Sequence, residues 1–598
     1  IHVEFGDDWA QRLKMVLCRP ESKGAIVTDK SGCQLLQVEG HPGELHDVPP
    51  MQAFPLLVYL KAANAEVSPD PCLWEVFVLY ASPVAKYAPI DFESEIDRIV
   101  CSARESERLQ TGQVQVSVGV ASSASLTKLL TLSHGRDAGS PALILHLAAH
   151  GYEAGGLILE SAKGTGEAHP CSHEKLRSLL HSERNGENGG NGGLRGVSLL
   201  MLSSCSSKKL AQVFIDSGCQ HVIATDRPVL DKTAKAFTER FYRALFVGKS
   251  IVDAFEHAKA ALLASSHPEV AQQSHAYMLL KANEGDVPAS AARSESWTIP
   301  ERPWSRDSDI EGFQDACSFL DTLEFLPPRV EDFYRPSAMQ YVLDTLRTRR
   351  ACSVHGLKGI GKSALAIELS RFAASSGRLF SGNVLHVRLE EKGEALSTIK
   401  DAVDFFALRQ HCMPFGRSDA SCTVGQFRHL ESRCGANAPM LLVLDDECNA
   451  LESKPVKSLL AEVLRKTHRW KLLLCSAAPF RESLGFIKVV SVRLEGIDAW
   501  DSASLLLRRV HRCLEPKDLP ESLGHQGRAR EQLRQHNEAT KLLVMSQLLA
   551  PLGGHPGLLC YVGSQVYDGG PSLRDVVQEV SSKDKEEVMA WLEHWVLC

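Results

Sequence analysis

The sequence predicts an α/β protein with two successive α/β domains and a helical C-terminal region. Apolar runs of strand length alternate with segments of helical spacing from Trp74 to about residue 285. The same alternation returns between about residues 326 and 495, after a stretch rich in Ser, Pro, Glu and Arg. Such alternation is typical of mostly parallel sheets that helices cover on both faces.

Five segments follow from these patterns. They are an N-terminal segment of unknown role (1–72), the first α/β domain (73–285), a linker (286–325), the second α/β domain (326–495) and a helical region (496–598). No internal repeat of about 20 to 50 residues is visible.

The elements of the first domain can be read in order. "WEVFVLY" is a strand, and "DFESEIDRIVCSARES" is a helix with Asp91 as N-cap and acidic residues in its first turn. "QVQVSVGV" and "ALILHLAAHG" predict strands, and "SLTKLLTL" between them predicts a helix. Further along, "VSLLMLSSC" and "QHVIAT" predict strands. Helices are predicted for "LAQVFIDSG" and, as one or two helices, for "TAKAFTERFYRALFVGKSIVDAFEHAKAALL".

Composition narrows the class of protein. The 598 residues are 44% hydrophobic and 23% charged, as is typical of a globular protein. A net charge of -7, with no long basic run, argues against general nucleic-acid binding. We see no membrane-spanning stretch and no signal peptide, although a start at Ile1 instead of Met leaves room for a missing upstream segment. The 17 cysteines form no C-x-x-C pair, which favours reduced thiols and a cytoplasmic location.

One group of metal-binding residue types needs an interpretation. His169, Cys171 and His173 alternate in "HPCSHEK", but a zinc site would need a second pair of ligands at a recognisable distance. We interpret this stretch as a solvated loop.

The strongest local motif is "GLKGIGKS", which fits G-x-x-x-x-G-K-[ST] and contains Gly356, Gly359 and Gly361. A glycine-rich turn allows many N–H groups to approach phosphates closely, and Lys362 and Ser363 would contact phosphates and Mg²⁺. The strand-like "RACSV" before it and the helical "SALAIELSRF" after it favour a phosphate loop over a glycine turn that happens to carry Lys-Ser.

A carboxylate for the magnesium ion is expected downstream. The apolar strand "PMLLVLDDE" ends in Asp445 and Asp446, where such enzymes hold Mg²⁺ through water. We therefore predict ATP or ADP with Mg²⁺ as the cofactors, the ion being contacted by Ser363 and Asp445.

Residues 325 to 565 resemble the NB-ARC and related STAND-type regulatory NTPases. The resemblance lies in "DFYRPSAMQYVLDTL", "VHGLKGIGKSALAIEL", "LLVLDDE", "KLLLCSAAPF" and "LLAPLGGHPGLL". It implies that His555 and Pro556 contact bound nucleotide and that 496–598 is a helical, winged-helix-like accessory region. Where the family usually has an arginine that senses the γ-phosphate, this chain has Ala477 and Ala478. The resemblance therefore favours a slow nucleotide-dependent switch over fast hydrolysis.

Two strands of the first domain end in candidate catalytic residues. "LILHLAAHG" ends in His150 and Gly151, and "LLMLSSC" ends in Cys205. Parallel strands gather their carboxyl ends at one sheet edge, where a histidine can activate a thiol and N–H groups can bind an oxyanion. Taken alone, Cys205 could also be a core thiol and His150 a strand-capping histidine. His146, which alternates with leucines, is expected to be packed or paired.

Residues 73 to 285 resemble the CHAT domain, a caspase-like cysteine peptidase domain. The matching stretches are "VLYASPVAKYAPIDFESEIDRI", "ILHLAAHG" and the long segment from "LMLSSCSSKKLAQVF" through "GKSIVDAF". The resemblance implies a caspase-like α/β sandwich with His150 as general acid/base and Cys205 as nucleophile. It also implies oxyanion-binding N–H groups at Gly151 and Cys205.

Two further positions of that family can be located in this chain. Asp231 matches an acidic position after the next strand, with a structural or substrate-pocket role. Many relatives carry an acidic residue two positions before the cysteine that selects basic substrate residues, and this chain has Ser203 there.

Together these features predict a nucleotide-regulated cysteine endopeptidase of signalling, defence or cell-death type. Its expected partners are a protein substrate, further copies of itself on activation, and sensor repeats or a sensor subunit outside this chain. No nucleic-acid or membrane partner is expected. The alternative is a signalling ATPase whose CHAT-like domain is a non-catalytic protein-interaction module.

Overall fold

The structure is a computed structural model of the 598-residue chain. The residues that it describes are 24–28, 34–38, 73–84, 87, 90–109, 112–134, 141–152, 155–181, 194, 196–205, 207–282, 313–330, 333–375, 377–409, 420–433, 439–480, 483–520, 536–583 and 587. They fall into two compact units, Ile1–Asp70 and Pro71–Cys598.

The first unit contains one described β-hairpin. Strands β1 (Gly24–Thr28) and β2 (Gln34–Val38) pair antiparallel, with Gly24 opposite Val38. The rest of the N-terminal segment lies outside the described residues.

The second unit begins with an alternating α/β pattern. Its described strands are β3 (Trp74–Tyr80), β4 (Val114–Val120), β5 (Ala142–Ala148), β6 (His150–Tyr152), β7 (Gly156–Glu160), β8 (Ala168–Ser172), β9 (Val197–Ser203), β10 (His221–Thr225), β11 (Tyr277–Lys281) and β12 (Phe313–Asp315). Its described helices are α1 (Phe92–Glu105), α2 (Ser123–His134), α3 (His173–His181), α4 (Lys208–Asp216), α5 (Asp231–Phe246), α6 (Ile251–Leu263), α7 (Pro268–Gln272) and α8 (Ala316–Glu324).

Most of these strands build a sheet of order β11-β10-β9-β5-β3-β4-β12 among the described residues. The central pairs are parallel, and the two edge strands β11 and β12 are antiparallel to their neighbours. This confirms the predicted α/β class with a mostly parallel sheet. The long helical segment forms two helices, and Asp91 accepts the Ser94 N–H at the start of α1, as predicted.

Alternating side chains of the central strand supply two cores. Val76, Val78 and Tyr80 of β3 pack on the side of α1, α5 and α6. Phe77 and Leu79 point to the other face, where α2, α3 and α4 contribute their leucines. The first domain is therefore a three-layer αβα sandwich.

A small antiparallel sheet of order β6-β7-β8 stands beside the large one. It begins at His150, immediately after β5, and includes the "HPCSHEK" stretch. The prediction of a solvated loop there is wrong, because His169 and Cys171 lie in β8 and α3 starts at His173. The Cys171 side chain packs into the core below the sheet.

The structure also corrects the extent of the predicted linker. Residues 313–315 form the edge strand β12, which pairs with β4, and residues 316–324 form α8. The apolar spacing of Phe313, Phe319 and Leu323 explains the packing, since Phe313 meets Phe77 edge-on at 5.1 Å between ring centroids. Residues 286–312 lie outside the described residues.

The second α/β region contains α9 (Pro336–Thr348), β13 (Ala351–His355), α10 (Lys362–Ala374), β14 (Val384–Leu389), α11 (Ala395–Arg409), α12 (Ala420–Arg433), β15 (Met440–Asp446), α13 (Lys454–Lys466), β16 (Trp470–Ser476) and β17 (Val490–Arg493). Its described strands form a wholly parallel sheet of order β14-β15-β16-β13-β17. Strand β15 is buried at every residue. Its sequence is a largely apolar run because helices cover both faces of the sheet.

The two α/β regions share a hydrophobic core. One cluster runs from Tyr80 and Phe92 through Phe319 to Cys352 and Leu365. The sequence predicted separate domains joined by a linker, whereas in the structure buried side chains of both regions form one hydrophobic cluster within the same compact unit.

The described C-terminal region is helical, with α14 (Ala499–Arg509), α15 (His536–Ser546), α16 (Pro556–Ser564) and α17 (Leu573–Ser582) around a core of their own. Residues 496–520 and 536–583 form helices and turns and contain no strand. The winged-helix-like part of the prediction therefore has no counterpart in these two described ranges. Among the residues that the structure describes, no helix combines the length and apolar character needed to cross a bilayer.

Candidate functional site

The turn that carries Cys205 is fixed by backbone contacts on both sides. Strand β9 ends at Ser203, whose carbonyl accepts the Ala149 N–H at 3.2 Å. The next carbonyl, that of Ser204, accepts the Thr225 hydroxyl at 3.1 Å, and the Ser207 hydroxyl accepts the Thr225 N–H at 3.1 Å. Cys205 itself is exposed at the top of this turn. The core-thiol interpretation of Cys205 is therefore wrong.

Helix α4 begins at Lys208, three residues after Cys205.

His150 and Cys205 lie at the same sheet edge because of strand register. Strands β5 and β9 are parallel neighbours, and Ala148 is paired with Ser203. His150 and Cys205 each come two residues after that pair, so both follow at the carboxyl ends of adjacent strands. The half-buried His150 ring stacks on Tyr87, with ring centroids 5.5 Å apart.

Gly151 lies close against the turn that carries Cys205. A Cβ atom at Gly151 would lie 2.5 Å from the Cys205 carbonyl oxygen and 3.4 Å from the Ser204 hydroxyl. Any side chain here would displace the turn that carries Cys205, so this position requires glycine. Gly151 therefore lies against the turn that carries Cys205, and His150 directly precedes Gly151 in the chain.

A buried polar network lies beneath this edge. Nε2 of His146 is 3.1 Å from Oε1 of Glu95, and Nδ1 of His146 is 3.2 Å from the Tyr242 hydroxyl. The prediction that His146 is packed or paired is confirmed. Burial would raise the pKa of Glu95, but the His146 charge and hydrogen bonds from His146, Ser203 and Thr238 outweigh it and lower that pKa.

Ser203 itself is neutral, but a carboxylate lies next to it. The Ser203 hydroxyl donates a hydrogen bond to Glu95, a residue of α1. The sequence signal for Glu95 was a carboxylate inside the apolar stripe of α1, between Phe92 and Ile96. Asp231, by contrast, starts α5 at the surface and pairs with Lys235 at 2.7 Å, which is a structural role.

The phosphate loop connects β13 to α10, as the motif requires. Gly359 and Gly361 have φ angles of +74° and +97°, in the left-handed region that favours glycine. The Lys362 amine donates to the loop carbonyls of Gly356 and Leu357 at 3.1 and 3.0 Å. Burial lowers the pKa of Lys362, so bound phosphates would restore a favourable environment for its charge.

Ser363 and Asp445 meet at the base of this loop. The Ser363 hydroxyl donates to Asp445 Oδ1 at 3.1 Å. Burial raises the pKa of Asp445 to about 6, against the effect of that hydrogen bond. Two hard oxygen donors side by side fit the requirements of Mg²⁺.

The adjacent carboxylate has a different task. Asp446 accepts backbone N–H groups from Cys448, Ala450 and Leu451 at 3.2, 2.8 and 2.9 Å. These bonds hold the turn after β15. The structure therefore separates Asp446 from Asp445, although the sequence had assigned both to the cofactor.

His555 and Pro556 belong to a segment that packs against the phosphate loop and forms two hydrogen bonds with it. His555 Nε2 donates to the Lys358 carbonyl at 2.9 Å, and the Gly557 N–H donates to the Gly359 carbonyl at 3.1 Å. Nδ1 of His555 accepts the Leu558 N–H and so caps α16, in which Pro556 is the first residue. Burial lowers the pKa of His555, which agrees with a neutral ring protonated at Nε2.

A cavity of about 780 Å³ opens beside the loop. Its lining includes Gly356, Ile360, Arg493, Leu552 and His555. It therefore lies between the phosphate loop, the end of β17 and the helical region.

Arg335 is a cation that the sequence analysis missed. It directly precedes α9, and its Nη2 donates to the Ile360 carbonyl at 2.5 Å. Its Nε is buried without a hydrogen-bond partner among the described residues and would lie 3.2 Å from a Cβ at Gly361. In the sequence, a basic residue just before a helix does not indicate a contact with the phosphate loop. Only the fold brings Arg335 over that loop.

Comparison with known proteins supports the assignment of the first domain. Residues 93–299 match the family model of the CHAT domain, a range that contains both His150 and Cys205. A stretch of 125 residues is 27% identical to a Roc-COR-CHAT protease of an unknown prokaryotic organism. That stretch covers 21% of this chain and only 11% of the relative.

Solved structures give weaker likenesses. Caspase-1 from Spodoptera frugiperda matches with 11% identity and a TM-score of 0.24, over 36% of this chain and 87% of the other. The ORC2 protein of Aeropyrum pernix, in ADPNP–ADP complexes, matches with 19% identity and a TM-score of 0.25, over 44% of this chain and 72% of the other.

Proposed function

We propose that this protein is a cysteine endopeptidase whose activity is regulated by ATP or ADP. The observation that supports the peptidase half is the parallel register of β5 and β9, whose carboxyl ends lead into His150–Gly151 and into the exposed Cys205. The family match over this region and the name of the relative agree with it.

The proposed reaction uses only groups at this edge. His150 takes the proton of the Cys205 thiol, and the sulfur attacks the carbonyl carbon of the substrate peptide bond. The N–H groups of Gly151 and Cys205 stabilise the resulting oxyanion. When the C–N bond breaks, His150 gives its proton to the leaving amine and an acyl-thioester remains. Water activated by His150 then hydrolyses the thioester and regenerates the thiol.

Substrate preference would depend on Ser203 and the Glu95 behind it. Glu95 is already engaged by His146 in the same buried network, with His146 Nε2 at 3.1 Å from Glu95 Oε1. We therefore propose no requirement for Arg or Lys at the cleavage site.

For the second region we propose nucleotide binding at the phosphate loop. Gly356, Gly359 and Gly361 would surround the phosphates, Lys362 would contact them, and Ser363 with Asp445 would hold Mg²⁺. The cavity beside the loop would take the remainder of the nucleotide. Arg335 would add a cation near the phosphates, in a chain that has Ala477 and Ala478 at the usual sensor position.

We further propose that the nucleotide state acts as a slow switch on the peptidase and that activation involves self-association. A sensor outside this chain would supply the trigger. A role in cytoplasmic defence or cell-death signalling remains a prediction from the combination of modules.

The peptidase proposal is tested with a proteome-derived peptide library. Wild-type protein should cleave a set of peptides that Cys205→Ala and His150→Ala leave intact. Cys513→Ala, which removes another exposed thiol, is the matched control and should cleave as wild type. Identical patterns for wild type and Cys205→Ala would instead favour the non-catalytic interaction module.

Nucleotide binding is tested separately by titration with fluorescent ATP and ADP. Lys362→Ala should abolish tight binding, because it removes the amine at the phosphate position. Lys358→Ala removes an exposed lysine of the same loop and should bind normally. Retained binding by Lys362→Ala would contradict the phosphate-loop assignment.

A further inference from the structure

The small sheet that carries His150 also carries a buried carboxylate. In β6 and β7, His150 is paired with Ile158, and Glu160 ends β7 two residues later. The Glu160 side chain is fully buried, and its Oε1 accepts the Ser82 N–H at 2.7 Å. Glu160 therefore belongs to the same β6–β7 hairpin as the proposed catalytic base.

The partner of Glu160 comes from the second α/β region. Arg378 Nη2 donates to Glu160 Oε1 at 2.7 Å, and Arg378 Nη1 forms an ion pair with Oε2. The guanidinium centre lies 3.9 Å from the centroid of the Phe372 ring. Next to this pair, the Leu379 N–H donates to the Gly164 carbonyl at 3.3 Å.

Arg378 is tied to the helix that starts at the phosphate loop. Helix α10 runs from Lys362 to Ala374, and the turn after it is bonded back to its last residues. The Arg378 N–H donates to the Ser375 carbonyl at 3.1 Å, and the Phe380 N–H donates to the Ala373 carbonyl at 3.2 Å. A displacement of α10 at its phosphate-binding end would therefore move Arg378 with it.

The charges make this contact sensitive to small displacements. Both side chains are without exposed surface, so separating them would leave an uncompensated buried charge on each side. Burial already lowers the pKa of Arg378 to about 10. Besides Glu160, the guanidinium has the Tyr80 hydroxyl as a hydrogen-bond partner.

We propose that Arg378 is a positioning residue for His150, which it holds through Glu160 and the β6–β7 hairpin, and that this contact links the phosphate loop to the peptidase site. The link rests on the proposed function, since it assumes that nucleotide regulates Cys205. The positioning itself can be tested without nucleotide or substrate.

The test uses the full chain with three variants. Arg378→Met removes the guanidinium, and Arg378→Lys keeps a positive charge. The double variant Glu160→Met/Arg378→Met removes both charges, so neither is left buried without its partner. It therefore separates loss of the contact from misfolding that an unpaired charge would cause. The control is Glu93→Gln, which weakens another contact between the two regions, because Glu93 accepts from Arg371 Nη2 at 2.6 Å and Arg371 also belongs to α10.

Hydrogen exchange of the backbone amides in residues 150–160 is the first measurement. Arg378→Met should raise their exchange rate about tenfold or more, Arg378→Lys should restore part of the protection, and Glu93→Gln should leave it unchanged. Peptide cleavage should follow the same order, with kcat lowered about tenfold in Arg378→Met and KM within about twofold of wild type. Equal effects of Glu93→Gln, or no effect of Arg378→Met, would overturn the positioning role.

The link is measured by the difference in that exchange between the ADP and ATP states. Wild type should show a difference that the double variant lacks. The link would be refuted if wild type binds both nucleotides but shows no difference in exchange between them. It would also be refuted if the double variant still shows that difference. If wild type shows no Cys205-dependent cleavage, the proposed function fails, and the exchange results still decide whether Arg378 positions the hairpin.

Discussion

Replacing Asp445 with Asn should stabilise the nucleotide-free protein while weakening nucleotide binding. Asp445 is only 2% exposed, and burial raises its pKa from 3.8 to about 6. One pKa unit corresponds to about 1.4 kcal/mol, so the raised pKa costs the folded state about 3 kcal/mol once the carboxyl is ionised. Asn resembles the protonated carboxyl and can still accept the Ser363 hydroxyl.

The sign of the pH dependence follows from the raised pKa. The folded wild type keeps the favourable protonated form below pH 3.8 and loses this stabilisation as the pH rises through about 6. Asp445→Asn should therefore match wild type near about pH 4 and exceed its free energy of unfolding by up to about 3 kcal/mol above about pH 6.5.

Urea unfolding of both proteins at about pH 4, 6 and 7.5 gives this difference, and titration with Mg²⁺ and fluorescent ATP gives the affinity. We expect the affinity of Asp445→Asn to fall about tenfold or more, since a magnesium ligand is lost. A variant that is less stable than wild type at about pH 7.5, or equally stabilised at all pH values, would refute the reasoning.

Substitutions at two further positions probe the contacts at the two sites. Gly151→Ala should lower peptide cleavage at least about tenfold, because its Cβ would lie 2.5 Å from the Cys205 carbonyl oxygen. Gly393→Ala, at a glycine with open space around it, is the control, and normal cleavage by Gly151→Ala would argue against a tight nucleophile turn. His555→Asn keeps an N-cap for α16 but cannot reach the Lys358 carbonyl, whereas His555→Ala also loses the cap, at a cost of about 1 kcal/mol. Both should weaken nucleotide binding to the same extent by titration, and His555→Ala should lower the melting temperature further than His555→Asn does. Wild-type affinity of His555→Asn would show that the link to the phosphate loop does not matter.

Much of the fold could be predicted because buried parallel strands leave a strong signal. Strands such as β5, β9 and β15 are apolar over nearly their whole length, and the residues at their carboxyl ends stand out by contrast. His150, Cys205 and Asp445 were identified in this way. The phosphate loop was identified from glycine spacing, which its backbone angles require.

The remaining features depend on which distant segments meet. Glu160 and Arg378 are 218 residues apart, and nothing near either residue indicates that both are buried against each other. Arg335 likewise reaches the phosphate loop only through the position of α9. The polar composition of residues 286–312 concealed the short strand β12 that follows it, because three residues at a sheet edge give little periodicity.

The distinction between Asp445 and Asp446 also lies outside sequence reasoning. Successive residues at a strand end point to opposite faces of the sheet. One carboxylate faces Ser363 and the other caps the following turn. Choosing between them requires knowing which face carries α10.

The central claim is that Cys205 is a nucleophile activated by His150. Its most direct test is the rate at which an electrophilic peptide probe labels each cysteine, located by mass spectrometry of wild type and His150→Ala. We expect Cys205 to react at least about tenfold faster than the exposed Cys513 in wild type, and to lose that advantage in His150→Ala. Equal labelling of Cys205 and Cys513, or labelling of Cys205 that does not change in His150→Ala, would contradict the claim.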